Sequence, residues 1–189
     1  MAHELDKVLI SRDRIQARVA ELGSQLAADL ARELEEEGHD AHAHPDRIVM
    51  IPVLTGAIVF AADLIRHMEV RLSIRVVAVQ SYPGESTASK GAKLASALPD
   101  DLKGRHVVII DDILDSGQTL ALLQSLIREQ EPASLRSVML LDKRARREVE
   151  VSSDYVGFEI PDEFVVGYGL DFDGYYRNLP EIMTLKAGA

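Results

Sequence analysis

The run at residues 107–119, V-V-I-I-D-D-I-L-D-S-G-Q-T, constrains this chain more than any other feature. Val107, Val108, Ile109 and Ile110 are four apolar residues in a row. They lack the alternation of a strand with one wet face and read as a strand buried on both sides. Two carboxylates, Asp111 and Asp112, follow directly, and Asp115-Ser116-Gly117-Gln118-Thr119 reads as a turn that opens a helix marked by Leu120, Leu123, Leu126 and Ile127. Ligands of an open α/β sheet sit at the carboxyl ends of its strands, where this acidic pair lies. Ser116, Gly117 and Thr119 can offer hydroxyls and approachable backbone N–H groups at a helix N-terminus, which suits a phosphate. Carboxylates at a strand end can hold sugar hydroxyls or a hydrated Mg²⁺. The plainer alternative is that Asp115 or Ser116 only caps a helix while the acidic pair faces solvent.

The flanking sequence supplies the rest of such a sheet. Ile15, Val19, Leu22, Leu26, Leu30 and Leu34 recur every three or four residues and make one apolar stripe on a helix over 12–37. Gly38 and residues 39–46 end it, and His39, His42 and His44 in that stretch read as a polar linker. Residues 48–54 read as a short strand with Pro52 inside, 56–68 as a buried helix and 74–80 as a β-branched strand. Residues 81–104 hold Pro83, Gly84, Gly91, Pro99 and Gly104 without lasting periodicity. A loop of that length is usually functional or disordered. Another strand is expected over 135–141, and short strands and turns from Tyr155 onward. Strand–helix–strand alternation implies an α/β fold, a parallel-sheet core with helices on both faces.

Composition narrows the chemistry. A chain of 189 residues is one domain or two small ones. It buries roughly 70% of its unfolded surface and needs no disulfide or structural metal to fold. There is no cysteine, which excludes thiolate catalysis, zinc-thiolate sites and iron–sulfur clusters. The net charge of −10 argues against nucleic acid and anionic membranes as partners. Neither a G-x-x-x-x-G-K-[ST] nor a G-x-G-x-x-G motif occurs, which disfavours P-loop and dinucleotide-binding enzymes. His3, Glu4 and Asp6 near the start argue against a signal peptide, and the longest apolar run, residues 57–62, is far short of a membrane span. A soluble cytoplasmic protein is expected.

The segment 107–119 resembles the phosphoribosyl-pyrophosphate signature of type I phosphoribosyltransferases, in which four hydrophobic residues and two acidic ones precede a phosphate-gripping loop ending in Ser-Gly-x-Thr or Thr-Gly-x-Thr. Val53-Leu54-Thr55-Gly56-Ala57 is similar to that family's pyrophosphate loop, where a peptide, often cis, presents backbone N–H groups to the leaving group; here it would join Leu54 and Thr55. Some relatives carry a lysine where this chain has Thr55, so contact would rest on the backbone. Ser81-Tyr82 looks like the start of the family's mobile lid. Residues 154–180 closely resemble the base-binding hood of hypoxanthine-guanine phosphoribosyltransferases.

That resemblance implies roles residue by residue. Asp111, Asp112, Asp115, Ser116, Gly117, Gln118 and Thr119 would hold the phosphoribosyl group and its 5′-phosphate. Leu54, Thr55, Gly56 and Arg177 would meet the pyrophosphate. Lys143, Phe164, Val165 and Asp171 would form the base side: Lys143 donating to the 6-oxo group, Phe164 stacking, Val165 meeting the ring edge through its main chain. Asp171 would also help hold Mg²⁺ on the pyrophosphate side, with Asp111 and Asp112 on the ribose side. Asp115 is the general-base candidate. Lys143 belongs to the charge run 143–147, which taken alone reads as a solvated face.

The expected whole is one phosphoribosyltransferase domain over 1–189, with a core at about 1–141 and a hood at about 142–189 to which amino-terminal residues could contribute. The implied reaction is Mg²⁺-dependent purine salvage, from hypoxanthine or guanine and phosphoribosyl pyrophosphate to the nucleoside monophosphate. A homodimer or homotetramer is expected from relatives. A non-catalytic phosphoribosyl-pyrophosphate sensor and transferases for xanthine, adenine or a pyrimidine stay open.

Overall fold

The computed structural model describes residues 4–42, 46–81 and 92–186. The first half runs β1 (Leu5–Ile10), α1 (Arg12–Glu36), β2 (Ile48–Leu54), α2 (Ile58–Ile65), β3 (Ser73–Ile74), β4 (Val77–Ser81) and β5 (Ala92–Leu94). The second half runs β6 (His106–Leu114), α3 (Gln118–Arg128), β7 (Ser134–Asp142), a 3-10 turn (Arg144–Arg146), β8 (Tyr155–Glu159), β9 (Val165–Val166) and β10 (Ile182–Leu185). The main sheet has the order β5-β4-β2-β6-β7-β8, with β3 also on β2. All its pairings are parallel except that of β4 with β5. A second sheet, β1-β10-β9, is antiparallel and joins the start of the chain to its end.

The apolar run of β6 is buried as its lack of alternation implies. Val108 and Ile110 join the core under α1 and α2, while Val107 and Ile109 join the core under α3. In β2, Ile48 and Met50 take the first side and Val49, Ile51 and Val53 the second. A period of two therefore serves two helix layers at once. Each such side chain contributes about 1.5–3 kcal/mol on burial. The stripe of α1 is fully buried from Ile15 to Leu34. Its end is fastened by two backbone bonds, Gly38 N–H to Glu35 O and His39 N–H to Leu34 O, with Gly38 at φ 79°.

Several elements differ from expectation. The strand expected over 74–80 is split into β3 and β4. Their registers on β2 are the same, Met50 to Ile74 and Val53 to Val77, and the break falls opposite Ile51 and Pro52. Proline has no N–H to give a neighbouring strand, so pairing lapses there. The stretch 81–104 is less irregular than its composition implies: β5 pairs back on β4, and Leu102 is fully buried. The helix expected over 56–68 is regular only in α2, and just one face is buried, at Phe60, Ala61 and Leu64. β1 carried no strand signal of its own, with Asp6 and Lys7 in its middle. Pairing with β10 makes it a strand.

Candidate active site

β6 does not stop at Ile110 but continues through the acidic pair to Leu114, paired with β7 as far as Asp142. Asp111 and Asp112 therefore stand in the second half of a central strand, half-buried rather than facing solvent. The N–H of Asp112 donates to Asp111 Oδ1 at 3.0 Å. Burial, and then the charge of Asp112, pushes the Asp111 carboxyl well above the usual carboxylate range. Burial also raises Asp112, opposed by a hydrogen bond from Asp111 and by the nearby guanidinium of Arg177. Like charges crowded in a low dielectric retain a proton until a cation or a donor arrives.

Beyond β6 the chain turns at Ser116 and Gly117 into α3. Gly117 is the N-cap at φ 88° and is buried; a Cβ there would lie 2.7 Å from Val151 Cγ1. Ser116 Oγ accepts the Gln118 N–H at 3.4 Å, and Ser116 O accepts the N–H groups of Glu148 and Val149. No N-cap side chain caps α3, which leaves the N–H groups of Thr119 and Leu120, after Gln118, for an anion. Asp115 faces Arg146 at 3.8 Å, and its Oδ1 is buried with no hydrogen-bond partner among the described residues.

The Leu54–Thr55 peptide is cis. Thr55 is exposed, and Gly56 is wedged between two walls. A Cβ on Gly56 would stand 2.6 Å from Asp112 Cγ, nearer still to Oδ2. On the other side, a Cβ on Gly169 would press on the Gly56 carbonyl oxygen. Arg177 joins this point from the carboxyl-terminal segment, donating to Gly169 O at 2.6 Å and pairing with Asp171 at 2.6 Å. Asp171 also accepts the Gly174 N–H at 2.7 Å. Three distant stretches of sequence thus meet at the ends of β2 and β6.

Lys143 follows β7 and is 4% exposed, although the charge run around it reads as a solvated face. Its N–H donates to Leu114 O at 3.0 Å, and its ammonium has no hydrogen-bond or ion-pair partner among the described residues. The arginines after it are paired rather than loose: Arg144 with Asp142 and Glu159, Arg146 with Asp115 and Asp162, Arg147 with Asp142. Val165 is buried in β9. Phe164 is 50% exposed and meets Phe172 in a T-shaped pair with ring centroids 5.4 Å apart. Ser81 ends β4, and Tyr82 lies outside the described residues.

Among the described residues no group of three or more His, Cys, Asp or Glu side chains is placed to hold a metal. Mg²⁺ is commonly bound by one or two carboxylates together with substrate phosphates and waters. Asp111 and Asp112 fit that pattern, being hard oxygen donors side by side. Asp171 is engaged by Arg177. Sequence reasoning passed over Gly169, whose close approach to Gly56 only the fold creates. Its one signal is the glycine spacing of Gly167-Tyr168-Gly169, both glycines lying at positive φ.

A parallel sheet with an acidic pair and a phosphate-sized turn at its carboxyl edge is the arrangement of a phosphoribosyltransferase, and residues 19–173 match the phosphoribosyl transferase domain family. The chain is 44% identical over 188 residues to the hypoxanthine-guanine phosphoribosyltransferase of Bacillus subtilis, covering 98% of this chain and 96% of that protein. It is 38% identical over 182 residues to the hypoxanthine phosphoribosyltransferase of Escherichia coli, with 96% of each covered. A crystal structure of a hypoxanthine-guanine phosphoribosyltransferase from Bacillus anthracis superimposes with a TM-score of 0.82 at 38% identity, covering 97% of this chain and 99% of that one. The chain belongs to the hypoxanthine-guanine phosphoribosyltransferase family. No helix among the described residues is long and apolar enough to cross a membrane.

Proposed function

We propose that this protein transfers the phosphoribosyl group of phosphoribosyl pyrophosphate to hypoxanthine or guanine, releasing pyrophosphate and giving the nucleoside 5′-monophosphate. The observation that carries the proposal is the meeting of Asp112, Gly56 and the Arg177–Asp171 pair at one sheet edge. Lys143, buried just past β7, has its backbone N–H on Leu114 O at the end of β6.

The 5′-phosphate sits on the Ser116–Thr119 turn, held by α3 N–H groups and the Ser116 and Thr119 hydroxyls. The pyrophosphate lies along Leu54, Thr55 and Gly56, where Thr55 offers backbone rather than a charged side chain, and Arg177 meets its charge. Mg²⁺, when bound, neutralises the leaving group and acts as a Lewis acid; Asp111 and Asp112, with Asp171 on the pyrophosphate side, are the residues that would hold it. As the anomeric bond stretches, positive charge grows on the ribose beside the two carboxylates, which stabilise it without reorganising. Asp115 takes the proton that the purine loses from its imidazole ring. Its buried, unpartnered Oδ1 is an acceptor already desolvated for that task. Phe164 stacks on the base, Val165 meets its edge, and Lys143 donates to the 6-oxo group.

A lysine there can donate but not accept, so an adenine amino group is refused. Ser81 and Tyr82 begin a lid that keeps water from the sugar cation. β1 on β10 closes the hood of a single domain. Copies associate through apolar side chains such as Ile58, 50% exposed on α2. Incubation of the purified protein with hypoxanthine, phosphoribosyl pyrophosphate and Mg²⁺ should yield inosine monophosphate. Absence of nucleotide from hypoxanthine, guanine and xanthine alike would defeat the proposal.

A further inference from the structure

Gly167, Tyr168 and Gly169 have φ of 98°, 50° and 103° in succession. Glycine accepts such values freely, but a tyrosine persists there only when its surroundings hold it. Tyr168 is held at both ends. Its N–H donates to Leu179 O at 2.8 Å, and its hydroxyl donates to Asp63 Oδ2 at 2.7 Å. The residue is 5% exposed. Burial, then the hydrogen bond to Asp63 and its charge, push the phenol above its ordinary range, which favours the donor form.

The two partners join different parts of the site. Asp63 is in α2, the helix that begins just past Thr55 and Gly56. Tyr168 precedes Gly169, which packs against Gly56 O and accepts the Arg177 guanidinium. The bond therefore closes a ring running from α2 through Gly56, Gly169 and Tyr168 back to Asp63.

We propose that the Tyr168–Asp63 hydrogen bond is a strut that fixes the spacing between the Thr55–Gly56 turn and the Arg177–Asp171 pair, and so sets affinity on the pyrophosphate side of the site. Tyr168 is thus a positioning residue that acts through Gly169 and Arg177. The inference rests on the phosphoribosyl-transfer reading and deepens it.

Initial rates measured against each substrate in turn test it. Nucleotide formation by the unaltered protein establishes the reading itself; its absence would remove the reading, whatever the variants do. In Tyr168→Phe, the KM for phosphoribosyl pyrophosphate should rise about 10-fold, the loss expected of a hydrogen bond to a charged group, while the KM for hypoxanthine stays within about twofold. Asp63→Ala should match it, and Tyr168→Phe/Asp63→Ala should be no worse than either alone. Asp63→Asn keeps an acceptor oxygen and should restore most of the affinity. An unchanged KM for phosphoribosyl pyrophosphate, an equal rise for both substrates, or additive losses in the double variant would overturn the strut. Should Tyr168→Phe not fold, Asp63→Ala against Asp63→Asn makes the same comparison.

Discussion

Gly56 and Asp112 come from different strands, yet no methyl group fits between them: a Cβ on Gly56 would lie 2.6 Å from the Cγ of Asp112. The turn after β2 is thereby clamped on the acidic pair of β6. Gly56→Ala must displace either the carboxylate or the turn, at a cost of about 1–3 kcal/mol for an overpacked site. Turnover should fall at least about 100-fold, since a small misplacement of a reacting geometry costs that much. Thermal unfolding and steady-state rates measured together check it; a stable variant of normal activity would show the clamp to be idle.

The acidic pair should make stability depend on pH in an unusual direction. Burial raises both carboxyls, so the native ligand-free state binds more protons than the unfolded chain. The pair's own contribution to stability is most favourable below the unfolded aspartate value, about 3.9, and declines as pH rises through the folded values. Asp111→Asn removes much of this loss. The variant should be the more stable protein at neutral pH, with the gap closing toward about pH 4. Urea midpoints at several pH values measure the gap, and a constant gap would contradict the assignment.

Asp115→Asn keeps the size of the side chain and removes its basicity. Turnover should drop at least about 100-fold while phosphoribosyl pyrophosphate still binds. Single-turnover rates alongside calorimetric binding separate the two effects.

Lys143→Ala tests the lysine on the base side. The ratio of kcat/KM for hypoxanthine to that for adenine should shrink at least about 10-fold if the buried lysine is the donor we propose for the 6-oxo group. A panel of bases assayed on both proteins decides it, and an unaltered ratio would place recognition elsewhere.

The opposite end of the sheet supplies a control. Glu33 of α1 accepts from Arg136 at 2.7 Å and from Ser134 at 3.1 Å, beside the buried ring of His106. Arg136 holds the Glu33 carboxyl below its usual range. That stabilisation is present above the unfolded glutamate value, about 4.3, and is lost as pH falls through the folded value. Glu33→Gln should cost about 1–2 kcal/mol at neutral pH, with less difference in acid, and leave kcat within about twofold. A large fall in kcat would mean that this end communicates with the site.

The parts legible in the sequence are those governed by local pattern. The two-faced burial of Val107, Val108, Ile109 and Ile110, the stripe of α1, the turn at Gly117 and the acidic pair all follow from periodicity and residue type within a dozen positions. The family was legible as a resemblance, carried by residues 107–119 and 154–180, and the match of residues 19–173 to the phosphoribosyl transferase domain bears it out. What the tertiary structure alone decided lies between segments. Asp6 and Lys7 give β1 no signal, and it exists because β10 supplies its partner. Lys143 looks solvated in its charge run and is buried where the paired ends of β6 and β7 tie its N–H to Leu114 O. Gly56, Asp112 and Gly169 are far apart in the chain and in contact in the fold. Periodicity reports which face of an element is apolar; it carries no record of what that face, or a strand's end, will be pressed against. That depends on how the sheet orders its strands, and here the order sets β2 beside β6 and makes the site.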